Sequence, residues 1–129
     1  MNQSKYSLVV LRVTMGIIFI THGVARLYYK SVVDFGNYLD SKGFMIGLTI
    51  AWTITIGEII SGSLLALGIK VRYCIIFHTL IIATGLVLVH LPNGWFVVGH
   101  GTGGIEYSIL ILVVLFVLFT AKHKSVSAS

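Results

Sequence analysis

Residues 44–67 read FMIGLTIAWTITIGEIISGSLLAL and decide the fold. Their length matches the roughly 20 apolar residues that cross a bilayer core about 30 Å thick. Glu58 is the one ionisable side chain among them. Gly68 follows as a helix terminator, and Lys70 and Arg72 follow as cations suited to the membrane interface. The stretch therefore predicts a transmembrane helix.

Composition extends this prediction to the rest of the chain. Of its 129 residues, 57% are hydrophobic and 10% are charged, whereas soluble domains carry about 25% charged residues. We therefore expect an all-α integral membrane protein, a single transmembrane domain over residues 1–129 that forms a four-transmembrane-helix up-down-up-down bundle. The predicted helices cover about 6–25, 44–67, 73–91 and 105–121. An interfacial segment at about 26–43 is predicted as either a short amphipathic helix or a turn with a loop.

The basic residues predict the orientation of the bundle. The net charge of +5 comes from cations near the ends of the apolar stretches, where they meet anionic lipid. Four crossings place both termini on one side, and that side carries five of the basic residues against three on the other. The side of the termini carries Lys5, Lys70, Arg72, Lys122 and Lys124, and the other side carries Arg26, Lys30 and Lys42. The larger group indicates cytoplasmic termini, and this distribution implies no nucleic-acid partner.

An intramembrane ion pair is predicted between Arg12 and Glu58. A charge at mid-membrane costs at least about 2.5–3.5 kcal/mol, so each of the two needs a partner or a function. Arg12 lies about 10 Å and Glu58 about 15 Å from the inner ends of their helices, which makes a pair geometrically reachable. One interpretation is structural, a pair or a snorkelling arginine that fixes two helices together. The other is functional, an acid that carries a proton or holds a ligand.

A second polar cluster is predicted near the outer membrane surface. His22 and Arg26 lie one turn apart on the first helix, His90 ends the third helix and Glu106 begins the fourth. These groups reach one depth beside an apolar interior, and a quinone needs donors for its carbonyls and protons for its reduction. We therefore predict quinone or ligand binding by these four residues. The alternative is a hydrogen-bonded rim that only closes the bundle.

Other cofactors are not expected, and no catalytic residue is assigned. A haem between His22 and His90 lacks an attachment motif, and a metal site of His22, His90 and Glu106 lacks a diagnostic spacing. Cys74 is the sole cysteine, which excludes an internal disulfide and a CxxC dithiol centre. The sequence also lacks a flavin fingerprint, so any electrons must come from a partner or a bound reductant.

Four blocks of the sequence carry a family resemblance. They are Leu11–Gly16 running into Phe19–Gly23 with Arg26, Gly57–Gly62 running to Gly68, His90 with Asn93–Phe96, and Gly103–Tyr107. Together they resemble the DoxX family of small four-helix bacterial membrane proteins, over about residues 8–119. The polar positions of the family correspond to Arg12, His22, Arg26, Glu58, His90 and Glu106. Arg26 stands where lysine is more frequent, which keeps the charge but changes its geometry.

The resemblance implies a multi-pass protein of the bacterial inner membrane. Members are often described as subunits of quinol oxidase or thiosulfate:quinone oxidoreductase, and others as membrane partners in thiol and oxidative-stress complexes. We therefore predict a redox-associated subunit that binds quinone or quinol, lies in membrane lipid, and acts with a partner oxidoreductase or as a homo-oligomer. The alternatives are a non-catalytic assembly or scaffold subunit, and a small-solute or proton pathway for which Glu58 is the main argument.

Overall fold

The computed structural model describes residues 2–122, whose regular structure is helical. Five α-helices follow one another: α1 Gln3–Tyr28, α2 Val32–Ser41, α3 Gly47–Leu67, α4 Val71–Gly85 and α5 Glu106–Thr120. They form two compact units, the first ending at Lys70 and the second beginning at Val71. The predicted all-α fold is confirmed for this part of the chain.

Within residues 2–122, three helices are long and apolar enough to cross a membrane. They are α1, α3 and the helical run Val71–Asn93 that begins with α4. Helix α5 has 15 residues, most of them apolar. Its length of about 22 Å is shorter than a hydrocarbon core of about 30 Å. The chain is therefore a helical membrane protein, while the up-down-up-down bundle of four spanning helices stays a prediction.

In the first unit, α1 and α3 pack side by side and run antiparallel. Gly16 of α1 contacts the Gly62 region of α3, and Gly23, further along α1, contacts the earlier Thr55. Helix α3 ends as predicted at Gly68, which adopts a φ of 80° that favours glycine. The amide of Ile69 donates to the Leu64 carbonyl at 2.9 Å and closes the last turn.

The segment predicted at about 26–43 contains a short helix. Helix α1 continues to Tyr28, and α2 then buries Val32, Gly36 and Leu39. Val32 and Leu39 share a small core with Ala51 of α3. The amide of Gly47 donates to Asp40 Oδ1 at 2.7 Å, which satisfies a free donor at the start of α3. These contacts fix α2 against α3.

In the second unit, α4 continues through a π-helical turn, Leu86–His90, and a 3-10 turn, Leu91–Asn93. Pro92 lies in that last turn, where its missing N–H ends the helical ladder as predicted. Residues 94–105 then form a glycine-rich loop that leads into α5. Ile75 of α4 and Leu115 and Leu118 of α5 are buried in this unit.

Candidate functional site

The close packing of α1 on α3 creates the setting for the candidate site. A Cβ at Gly16 would lie 2.6 Å from the Gly62 carbonyl oxygen, and a Cβ at Gly23 would lie 2.7 Å from the Thr55 carbonyl oxygen. Neither position has room for a side chain, so the two backbones are in direct contact. The same face of α3 buries Ala51, Thr55, Glu58 and Gly62, as the spacing of small residues predicts.

The centre of the site is an ion pair between Arg26 of α1 and Glu58 of α3. Arg26 Nη1 donates to Glu58 Oε2 at 2.5 Å. The Glu58 side chain is 4% exposed and the Arg26 side chain 19% exposed, so the carboxylate is buried and the guanidinium partly accessible. A charge-assisted bond of this kind compensates part of the cost of placing a carboxylate inside an apolar unit.

A third helix positions the arginine. Phe35 of α2 lies under the guanidinium, with 4.8 Å between Arg26 Cζ and the ring centroid. This cation–π contact adds about 0.5–2 kcal/mol and helps to hold the guanidinium beside Glu58. The site is therefore built from one residue of each helix in the first unit, and it presents a partly exposed cation beside a buried acid.

The predicted partner of Glu58 was Arg12, and the structure corrects this assignment to Arg26. Side chains on a helix lean toward its N-terminus. Because α1 and α3 are antiparallel, Arg26 leans toward the level of Glu58 and Glu58 leans toward Arg26, while Arg12 leans away. Depths measured from the helix ends include neither this direction nor the register of the two helices. That register separates Arg12 from Glu58 by about 15 Å along the helix axis.

Arg12 lies at the carboxyl end of α3 instead. A Cβ at Gly68 would lie 2.9 Å from Arg12 Cζ, so the guanidinium packs directly against the glycine that ends the helix. A cation is favourable there because the last carbonyls of a helix carry partial negative charge. Arg12 Nε is buried and has no hydrogen-bond partner among the described residues. A side chain at position 68 would require this guanidinium to move.

The four residues predicted to form one outer cluster have the following contacts. His22 is exposed on α1, one turn before Arg26, whose observed partners are Glu58 and Phe35. In the second unit, His90 Nδ1 donates to the Gly103 carbonyl at 2.8 Å. Glu106 Oε1 accepts from the Val97 amide at 2.9 Å. His90 and Glu106 therefore hold the loop of residues 94–105, and their joining His22 and Arg26 in one site stays a prediction.

Phe35, the aromatic neighbour of Arg26, was not predicted from the sequence, although the sequence carries a signal for it. Phe35 belongs to a pattern of Val32, Phe35, Gly36 and Leu39, in which the last three follow Val32 by three, four and seven residues, and this spacing predicts one face of a helix.

Within residues 2–122, no group of three His, Cys, Asp or Glu side chains is arranged to hold a metal ion.

The match with a known protein family extends over most of the first unit and most of the helical run Val71–Asn93. A protein-family model described as DoxX matches residues 7–91, well over half of the chain. The matched range contains both residues of the Arg26–Glu58 pair and also Phe35, whereas Glu106 lies outside it. No curated protein and no solved structure matches the chain.

Proposed function

The chain belongs to the DoxX family, and from this premise we propose that it is a redox-associated membrane subunit that binds quinone or quinol at the Arg26–Glu58 pair. One observation carries the proposal. A buried carboxylate and a partly exposed guanidinium are paired inside a unit whose two long helices are apolar enough to cross a membrane. Charges placed at such depth are costly, which favours a functional role for them.

The chemistry of the pair suits a quinone head group. Reduction of a quinone to a quinol takes two electrons and two protons, and its carbonyl oxygens accept hydrogen bonds. A guanidinium carries five N–H donors, of which Arg26 uses one on Nη1 for Glu58. The remaining donors suit a quinone carbonyl. Glu58 suits the relay of a proton that it first takes up from water, because the ion-paired carboxylate itself carries none. Arg26 is the accessible member of the pair, so the head group approaches from its side.

The electrons come from a partner in this proposal. The sequence has one cysteine and no flavin fingerprint, so we propose that a partner oxidoreductase, or a neighbouring copy in a homo-oligomer, completes the electron path. We also propose a multi-pass location in a bacterial inner membrane with cytoplasmic termini, which the distribution of basic residues supports.

Quinone retention by the purified full chain tests this proposal. Lipids extracted from the chain and from its Arg26→Gln and Glu58→Gln variants are assayed for quinone per protein chain, and Arg12→Gln serves as the control. We expect retention by the chain and by Arg12→Gln, and loss of at least about ten-fold in the other two, which corresponds to one charge-assisted hydrogen bond. Equal retention in all four proteins would refute the assignment of the pair.

The same assay tests the predicted outer cluster. His90→Ala and Glu106→Gln are expected to abolish quinone retention if these residues join His22 and Arg26 in one site. If both variants retain quinone, His90 and Glu106 serve only to support the loop of residues 94–105, as their hydrogen bonds indicate.

A scaffold subunit is the second candidate function, and a specific observation favours it. The glycine contacts hold α1 directly against α3 without a ligand, and the ion pair links the same two helices. In that case the purified chain retains no quinone, while Arg26 and Glu58 variants lose stability without any change in bound lipid.

A further inference from the structure

The second unit carries an apolar groove between α4 and α5 that the quinone proposal does not use. Its volume is about 420 Å³. Its lining is aliphatic and aromatic apart from one threonine: Ile75, Ile76, Thr79, Leu80, Leu112, Phe116 and Phe119. Leu80 is 65% exposed and Phe116 is 67% exposed, so the groove is open along its length. It runs for at least about 10 Å along the helices, from Phe119 back to Leu112.

One end of this groove is cationic. Arg72, in the first turn of α4, lies over the ring of Phe119 with 5.5 Å between its Cζ and the ring centroid. Lys122 follows the end of α5 by two residues and is exposed. Within residues 71–122 the only carboxylate is Glu106, at the start of α5 and so at the other end of that helix. The unit therefore has a positively charged end next to the apolar groove.

We propose that the groove binds one acyl chain of an anionic glycerophospholipid, whose phosphate contacts Arg72 and Lys122. Charge complementarity selects this occupant. A phosphate needs cationic donors at the membrane surface, an acyl chain needs an apolar channel below them, and Phe119 belongs to both parts. The stacking of Arg72 on Phe119 orients the guanidinium at the mouth of the groove. The site serves lipid anchoring of the second unit and does not depend on quinone binding.

Native mass spectrometry of the purified full chain tests the site. The chain is titrated with phosphatidylglycerol and with phosphatidylcholine that carries the same acyl chains. We expect the anionic lipid to bind at least about five-fold more tightly, as one surface cation contributes about 1 kcal/mol. Arg72→Gln is expected to reduce this preference about five-fold and Arg72→Lys to retain most of it. Lys5→Gln, which removes an exposed cation from the first unit, is the matched control and leaves the preference unchanged.

A second variant tests the groove itself. Leu80→Trp fills the groove, and we expect it to weaken binding of both lipids at least about five-fold. Val113→Trp, at an exposed position that does not line the groove, is expected to have no effect. Equal affinity of the chain for the two lipids would overturn the proposal. So would equal losses in Arg72→Gln and Lys5→Gln, or undiminished binding by Leu80→Trp.

Discussion

Removal of Arg26 tests the central ion pair of the first unit. In Arg26→Met the apolar stem stays, but the Glu58 carboxylate, 4% exposed, loses its cation. Breaking a buried pair in this way costs about 3–5 kcal/mol, and we expect about 3 kcal/mol because Arg26 is itself partly exposed. Glu58→Gln leaves a guanidinium that can still reach the membrane surface, so we expect a loss of about 1.5 kcal/mol. The double variant buries no charge and is expected to lose about 2 kcal/mol.

The assay is a double-mutant cycle on the free energy of unfolding. Unfolding in mixed detergent micelles, followed by tryptophan fluorescence and helical circular dichroism, gives the four free energies. The expected values imply a coupling of about 2–3 kcal/mol between Arg26 and Glu58. A parallel cycle with Arg12→Met and Glu58→Gln is the control, and we expect it to be additive within about 0.5 kcal/mol. Additive losses for Arg26 and Glu58, or coupling to Arg12 in their place, would refute the pairing.

Three further predictions concern packing, the loop and the orientation. Gly16→Ala should destabilise the first unit by about 1–3 kcal/mol in the same unfolding assay, since its Cβ would meet the neighbouring backbone, whereas Gly85→Ala, with open space around it, should not destabilise. Glu106→Gln should speed hydrogen exchange of the Val97 amide about five-fold or more, since a charge-assisted bond becomes a neutral one; an unchanged rate would exclude that bond. A thiol introduced by Thr102→Cys should react with an impermeant reagent from outside the cell, and labelling only from the cytoplasm would reverse the proposed orientation.

Helix positions were predictable because the bilayer imposes a length on apolar stretches. The stretch at 44–67 became α3, Gly47–Leu67, and its glycine terminator adopts the expected left-handed backbone. Position 58 was also predictable as buried, because small residues recur on its face. Pattern and composition determine these features locally, so they need no knowledge of how helices pair.

The partner of Glu58 was not predictable from depth alone. Its choice depends on the register of α1 against α3, which the contacts of Gly16 and Gly23 fix, and on the direction in which side chains lean along antiparallel helices. The residue spacing in α2 indicates one face of a helix, but ten residues did not decide between a short helix and a turn with a loop. Phe35 lies on that face, but its position under Arg26 depends on how α2 packs against α3, which residue spacing does not give.

Infrared difference spectroscopy of a bound quinone labelled with ¹³C at its carbonyls tests the central claim most directly. The claim is that Arg26 donates a hydrogen bond to the quinone head group while Glu58 holds the guanidinium in place. The carbonyl band of the bound quinone is predicted to lie at lower frequency than that of free quinone in detergent. It is predicted to shift in the Arg26→Lys variant and to stay in place in the Arg12→Lys variant. A band unshifted from free quinone, or one that moves equally in both variants, would contradict the claim.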